Sequence, residues 1–271
     1  IPVVIVTCGP SLSRIPKQQL IDLNSKCILI AIKQAHDYVD GSELFHVINP
    51  YNLKKYEYTE TNYILSTFAS YTKPVYSPVD LFIPYEEIDP AEKLKKRLAA
   101  TLDFDKYLLS HSLERPWGPG IMMELAIYFA IHLGTKDIFL VSYDLHDPSF
   151  SGVNHYTKFY TSNNQSESWK EALMKKMIKV MSKLPQMTSN RARFMLGSTY
   201  NPASAIPTDE NDLLISSSEH LYRWLNSLGI NLGVCSDNSF VSRCIPRFTI
   251  EELSKFLDSK MLSSASLNSK L

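Results

Sequence analysis

Residues Val3–Val6 (VVIV) are apolar at every position, and this constrains the fold more than any other stretch of the chain. A strand with one wet face alternates apolar and polar residues; a strand with none of that alternation is covered on both faces. Together with its flanks the run reads as a strand over Pro2–Thr7, and Lys26–Ile32, Leu44–Ile48 and Asp137–Ser142 read the same way. A fifth strand, Asn231–Cys235, follows Leu228-Gly229, where glycine takes its usual place after a helix. Helical segments are predicted at Pro16–Leu23, Ala91–Leu102, Gly120–Leu133, Ser166–Leu184 and Asp212–Leu228. Buried strands alternating with helices predict an α/β fold with a doubly wound, mostly parallel sheet. The 271 residues suffice for one such domain, expected over 1–258. A lid or small appended lobe is expected over 145–210, where Met187–Glu210 is rich in Thr, Ser, Asn and Pro. The Ser-rich 259–271 is expected to be a flexible tail.

Charge narrows the function classes. Lys+Arg and Asp+Glu are both 28, so a broad nucleic-acid surface is not expected, and the basic runs Lys93–Arg97 and Lys175–Lys179 read as solvated helix faces. Cys8, Cys27, Cys235 and Cys244 form neither a C-x-x-C pair nor a zinc spacing, and read as thiols in a reducing compartment. No apolar run approaches the ~20 residues that span a bilayer. The sequence has no G-x-G-x-x-G after its first strand and no G-x-x-x-x-G-K-[ST], so the common dinucleotide and ATP sites are not expected. Asp103-Phe104-Asp105 falls in a helical stretch and reads as surface charge rather than a metal-nucleotide motif.

In an open α/β sheet, ligands bind beyond the carboxyl ends of the strands. Those ends carry Cys8-Gly9-Pro10-Ser11, Lys33-Gln34, Asn49-Pro50, Ser142-Tyr143-Asp144 with His146, and Ser236 to Ser239. Trp117-Gly118-Pro119-Gly120 precedes the third predicted helix. Small residues at helix starts offer backbone N–H groups to phosphate, and Asn49 and Asn238 offer a donor and an acceptor together. The same residues also make ordinary strand-to-helix turns. Several of them on one edge favour an anionic nucleotide.

In order, IVTCGPSL, FHVINPYNL, LGTKDIFLVSYDLH and GINLGVCSDNSFVSRCIPRF resemble landmarks of the bacterial sialyltransferases of glycosyltransferase family 42. Related landmarks occur in CMP-Kdo transferases and in the motility-accessory, pterin-diphosphokinase-like family. The resemblance touches most of residues 1–245 and implies a Rossmann-like, GT-A-like variant of the sheet. It implies that Gly9, Pro10 and Ser11 cradle the phosphate and ribose of CMP, with Cys8 beside them in place of an Asn. Asn49 would contact the nucleotide sugar, with Gln34 and Lys33 beside it, Lys33 replacing a second Asn. Pro119 and Gly120 would meet cytidine. Ser142 stands where the family has Gly, Asp144 matches the family Asp, and His146 replaces a phosphate-binding Tyr.

For the base that deprotonates the acceptor, the candidates are His155, in Asn154–Tyr156, and the carboxylates of Asp209, Glu210 and Asp212. Those carboxylates read more simply as N-terminal acidic residues of the following helix. His146 and Tyr156 are expected to donate to phosphate. The expected ligands are a CMP-sugar donor and a glycan acceptor, with no cofactor and no metal. A cytoplasmic protein is expected, held near the inner face of a membrane by a lipid-linked acceptor and able to form homo-oligomers. Two alternatives stay open: a diphosphokinase in which Asp144 coordinates Mg²⁺ with ATP, and a non-catalytic nucleotide-sugar-binding module.

Overall fold

The computed structural model describes residues 1–48, 56–60, 62–69, 81–86, 104, 115–116, 121–145, 208–236 and 239–268. Strand β1, Val3–Val6, lies inside its sheet with every residue buried. On one side β1 pairs with β2 (Ile28–Ile32), followed outward by β3 (Phe45–Ile48), β4 (Tyr63–Ala69), β5 (Leu81–Glu86) and β6 (Arg115–Pro116). On the other side it pairs with β7 (Asp137–Val141), and β7 with β8 (Asn231–Cys235). Among the described residues the sheet has eight strands, and all seven of their pairings are parallel.

The uniform apolarity of β1 is explained by two cores, one on each face. Val3 and Ile5 pack with helices α3 (Ile121–His132) and α4 (Thr208–Ser227) through Leu125, Phe129, Leu221 and Leu225. Val4 and Val6 pack against α1 (Lys17–Leu23) and, at the C-terminal end, a helix over Ile250–Asn268. Between α1 and that helix in chain order also lies the single turn α2 (Ala35–Tyr38), so the C-terminal helix is α5. Ile138 and Leu140 of β7 join the first core, and Phe139 and Val141 the second. Each fully buried aliphatic side chain of this kind contributes about 1.5–3 kcal/mol, so a polar residue on either face of β1 is costly. The doubly wound α/β expectation is met.

Several elements differ from expectation. Strands β4, β5 and β6 extend the sheet beyond the five predicted strands. Pro84 lies within β5, paired with Phe68 of β4 one residue before the outer neighbour begins to pair at Tyr85. Helix α5 runs from Ile250 through the Ser-rich segment after Ser259 to Asn268. Thr208–Glu210, expected within the lid, belong to α4. Phe104 sits in a turn, buried and stacked on Trp224 with ring centroids 5.2 Å apart, and not within a helix. The predicted helices at 91–102 and 166–184, and 146–207 of the expected lid, lie outside the described residues. All four cysteines are free and three are buried. Among the described residues no helix is long and apolar enough to cross a membrane.

Candidate functional site

The chain leaves β1 towards β2 on one side and returns to β7 on the other, so strand order reverses between β1 and β7. A crevice opens at such a switch point because consecutive crossovers depart to opposite sides. The loops that follow β1, β7 and β8 meet there around one side chain, Asp144. Its Oδ2 accepts from the Ser11 backbone N–H at 2.6 Å, and its Oδ1 accepts from Ser11 Oγ at 2.8 Å and from Ser236 Oγ. The carboxylate thus ties the ends of three strands together.

Gly9 has a reason in the same contact. A Cβ at this position would overlap the carbonyl oxygen of Ser142 and lie 2.5 Å from Asp144 Oδ2. The glycine lets the β1 loop close against the β7 loop. Its φ of −63° is ordinary, so the requirement is space and not backbone freedom. Thr7 completes the seam, its backbone N–H donating to Val141 O at 3.0 Å and its hydroxyl to Ser142 O at 2.6 Å. The Ser11 donors that the resemblance assigns to phosphate are both engaged by Asp144, so an anion at Ser11 shares them with that carboxylate.

Two residues of this edge hold left-handed backbone: Lys33, directly after β2, with φ +50°, and Ser142, directly after β7, with φ +58°. Such strain costs about 1–3 kcal/mol per residue and gathers at ligand sites. The resemblance places Asn and Gly at these positions, the two residues that adopt this conformation most readily. The Ser142 hydroxyl is buried with no hydrogen-bond partner among the described residues.

Cys8 is buried, and its thiol donates to Ile32 O at 2.8 Å. Burial pushes its pKa up to about 11, so it stays a neutral thiol and is unsuited to nucleophilic attack. Gln34 lies 3.5 Å from that sulfur, which links the β1 and β2 ends. Pro10 opens the short 3-10 turn Pro10–Arg14. Arg247, which sequence reasoning did not single out, braces the loop after β8 by donating to Ser236 O at 2.7 Å and Val241 O at 3.0 Å.

The structure therefore brings together Cys8, Gly9, Pro10, Ser11, Lys33, Gln34, Ser142 and Asp144 at the carboxyl ends of β1, β2 and β7. Glu210 lies in the first turn of α4 and Asp212 directly after it, in keeping with their reading as N-terminal helix acids. That end of α4 lies on the carboxyl-edge side, because its Leu214 packs with Tyr143 and its other end turns into β8. Asn49, Pro119, Gly120, His146, His155, Tyr156 and Asn238 lie outside the described residues.

A second polar cluster, which sequence reasoning missed, lies under the end of β2. His36 Nδ1 meets Glu43 Oε1, and its Nε2 meets Glu57 O at 2.9 Å. His46 Nε2 meets Lys33 O at 2.8 Å, its Nδ1 meets Tyr58 OH at 2.9 Å, and the two imidazoles stack at 4.6 Å with planes 15° apart. The visible signal was a histidine inside the apolar strand Leu44–Ile48. The three side chains lie close enough to suggest a metal centre. They fit one poorly: all four ring nitrogens are engaged, and stacked rings do not aim their lone pairs at one point.

A proton inventory explains the cluster better. Both nitrogens of His36 face oxygen acceptors, so His36 and Glu43 share one proton. Burial works against the charge on His36, but the hydrogen bond and charge of Glu43 outweigh it and raise the pKa. Burial likewise raises the Glu43 carboxyl, with His36 offsetting only part. His46 donates to Lys33 O and accepts from Tyr58, so it is neutral. Burial, then the charge of His36, lowers its pKa to about 3.

No family model, curated protein or solved structure matches this chain.

Three outcomes are expected. Asp144→Ala strands three donors and lowers stability by about 1–3 kcal/mol in urea unfolding; an unchanged midpoint contradicts the clasp. Ser142→Gly relieves left-handed strain and removes a buried unpaired hydroxyl, raising stability by about 1–2 kcal/mol; destabilisation contradicts that reading. His46 contributes stability that is present above the ordinary histidine value of 6.5 and lost as pH falls towards about 3. His36 has the opposite sign, its contribution being present below that ordinary value and lost as pH rises through the raised folded one. His46→Gln should therefore flatten the acid limb of stability against pH by about one proton, or about 1.4 kcal/mol per pH unit.

Proposed function

We propose that the chain is a glycosyltransferase that moves a nonulosonic sugar, sialic acid or Kdo, from its CMP donor to a hydroxyl of a glycan acceptor. The observation that carries this reading is convergence: Gly9, Ser11, Ser142 and Asp144, singled out at separate strand ends, meet at the sheet's switch point, with Lys33 at the end of the next strand, β2. That is where open α/β sheets bind nucleotides.

CMP is a fair leaving group, so the protein's work is to hold the phosphate, stabilise charge as the anomeric C–O bond breaks and take the acceptor's proton. Thr7–Ser11 and Ser142–Leu145 form the seat, with Asp144 fixing the loop that presents Ser11. Cys8 contributes packing. Lys33 supplies a cation beside the seat in place of a neutral amide. His155, or a carboxylate among Glu210 and Asp212, takes the acceptor's proton, and the position of α4's first turn supports the carboxylates. His146 and Tyr156 serve the phosphate, Asn49 and Gln34 the donor sugar, and Pro119 with Gly120 the base. A cytoplasmic setting at the inner face of a membrane, beside a lipid-linked acceptor, belongs to the same proposal. The diphosphokinase alternative needs Asp144 oxygens open to Mg²⁺, whereas both accept from protein donors.

Thermal unfolding in the presence of CMP, CDP, ATP with Mg²⁺, and GTP tests the proposal. At about 100 times its Kd, CMP should stabilise the fold by about 2.7 kcal/mol, a rise of several degrees in Tm. No shift with CMP overturns the reading, and a shift with ATP and Mg²⁺ alone supports the diphosphokinase instead.

A further inference from the structure

Beside the switch point, on the α1 and α5 face of the sheet, lies a cleft of about 260 Å³. One wall is the 3-10 turn with the start of α1, the other is the first turn of α5, and the floor is the end of β8. Its volume is below the roughly 300–1,000 Å³ of sites for drug-sized ligands and suits a single ring. Ser11 and Ser236, whose hydroxyls both donate to Asp144, also border this cleft, so it adjoins the proposed nucleotide seat.

We propose that this cleft binds the pyranose ring of a neutral sugar, which under the transferase reading is the terminal ring of the acceptor glycan. The polar lining suits vicinal hydroxyls, each of which donates once and accepts twice. Gln19 offers donor and acceptor together, Arg14 a planar fork of donors, and Glu251 acceptors only. One cation and one anion leave the lining without net charge, which favours a neutral ring over a phosphate or a carboxylate. The Glu251 carboxyl is held below its ordinary range by its own backbone N–H, then by Gln19 and Thr249, so it is an anion at neutral pH.

The apolar wall is equally suited. Phe248 is half-buried and is fixed by edge contacts with Phe139 at 5.3 Å and Phe256 at 6.4 Å between ring centroids. A ring held this way presents a fixed apolar surface to the C–H face of a sugar. At the mouth, Gln19 Nε2 donates to Glu251 Oε1 at 3.3 Å, joining α1 to α5. This long, exposed contact is readily exchanged for a pair of sugar hydroxyls.

Saturation-transfer NMR with the methyl glycosides of glucose, galactose and mannose tests the proposal on the full chain. At least one glycoside should receive saturation from the wild-type protein. Gln19→Trp, which fills the mouth from a half-buried helix position, should abolish the effect. Glu251→Ala should weaken affinity about 3- to 10-fold. Both variants should keep the Tm rise with CMP. Absence of transfer for all three glycosides, or its persistence in Gln19→Trp, overturns the sugar site. The two proposals fail separately: a Tm rise with CMP but no glycoside signal removes only the cleft, and the converse removes only the transferase reading.

Discussion

The edge of this sheet is organised by a single carboxylate. Asp144 leaves β7 and accepts from the Ser11 backbone, the Ser11 hydroxyl and the Ser236 hydroxyl, so loops from three strands are held at fixed separations. Everything near it follows from that closure. Gly9 must lack a side chain because the loop it belongs to is drawn against Ser142 and Asp144. Ser142 accepts left-handed backbone to aim the β7 loop back at β1, and Arg247 braces the β8 loop that delivers Ser236. Charge-assisted hydrogen bonds of this kind are the stronger ones, and a carboxylate with several donors is difficult to replace.

The other half of the edge depends on a buried proton. His36 and Glu43 share it, and His46 stacks on His36 while donating to the carbonyl of Lys33. Lys33 is the residue that turns out of β2 with positive φ, so the cluster supports the backbone on which a proposed donor contact stands. Tyr58 and the carbonyl of Glu57 attach the segment before β4 to the same cluster. The arrangement is neutral overall and leaves no ring nitrogen for a metal, which makes it a support for the site rather than a second site.

Much of this was legible in the chain, for identifiable reasons. VVIV cannot be half wet, so β1 and the doubly wound sheet around it follow from hydrophobicity alone. Gly-Pro-Ser and Ser-Tyr-Asp stood out by position, directly after buried strands, although the same residues also make ordinary turns, and the sequence carried no sign that Asp144 ties the first to the second. Strands β4 and β5 were not legible, since YILSTFA carries Ser and Thr on a strand towards the edge and LFIPYE carries a proline that argues against a central strand. Helix α5 had a start signal that went unread. Thr249 and Glu252 form a reciprocal cap, with Glu252 N–H donating to Thr249 Oγ1 at 3.1 Å and Thr249 N–H to Glu252 Oε2 at 2.8 Å. The histidine cluster was hidden because its members are ten residues or fewer apart yet meet only through the β2–α2–β3 turn.

The central claim is that the seam between the β1 and β7 loops, closed by Asp144, is where a CMP-linked donor is held. The most direct measurement is a backbone amide NMR titration with CMP. The account predicts that the largest shifts fall on Thr7–Ser11, Ser142–Leu145 and Ser236, and that Asp144→Asn reduces them. Shifts confined to other parts of the fold, or none at these amides at saturating CMP, would contradict it.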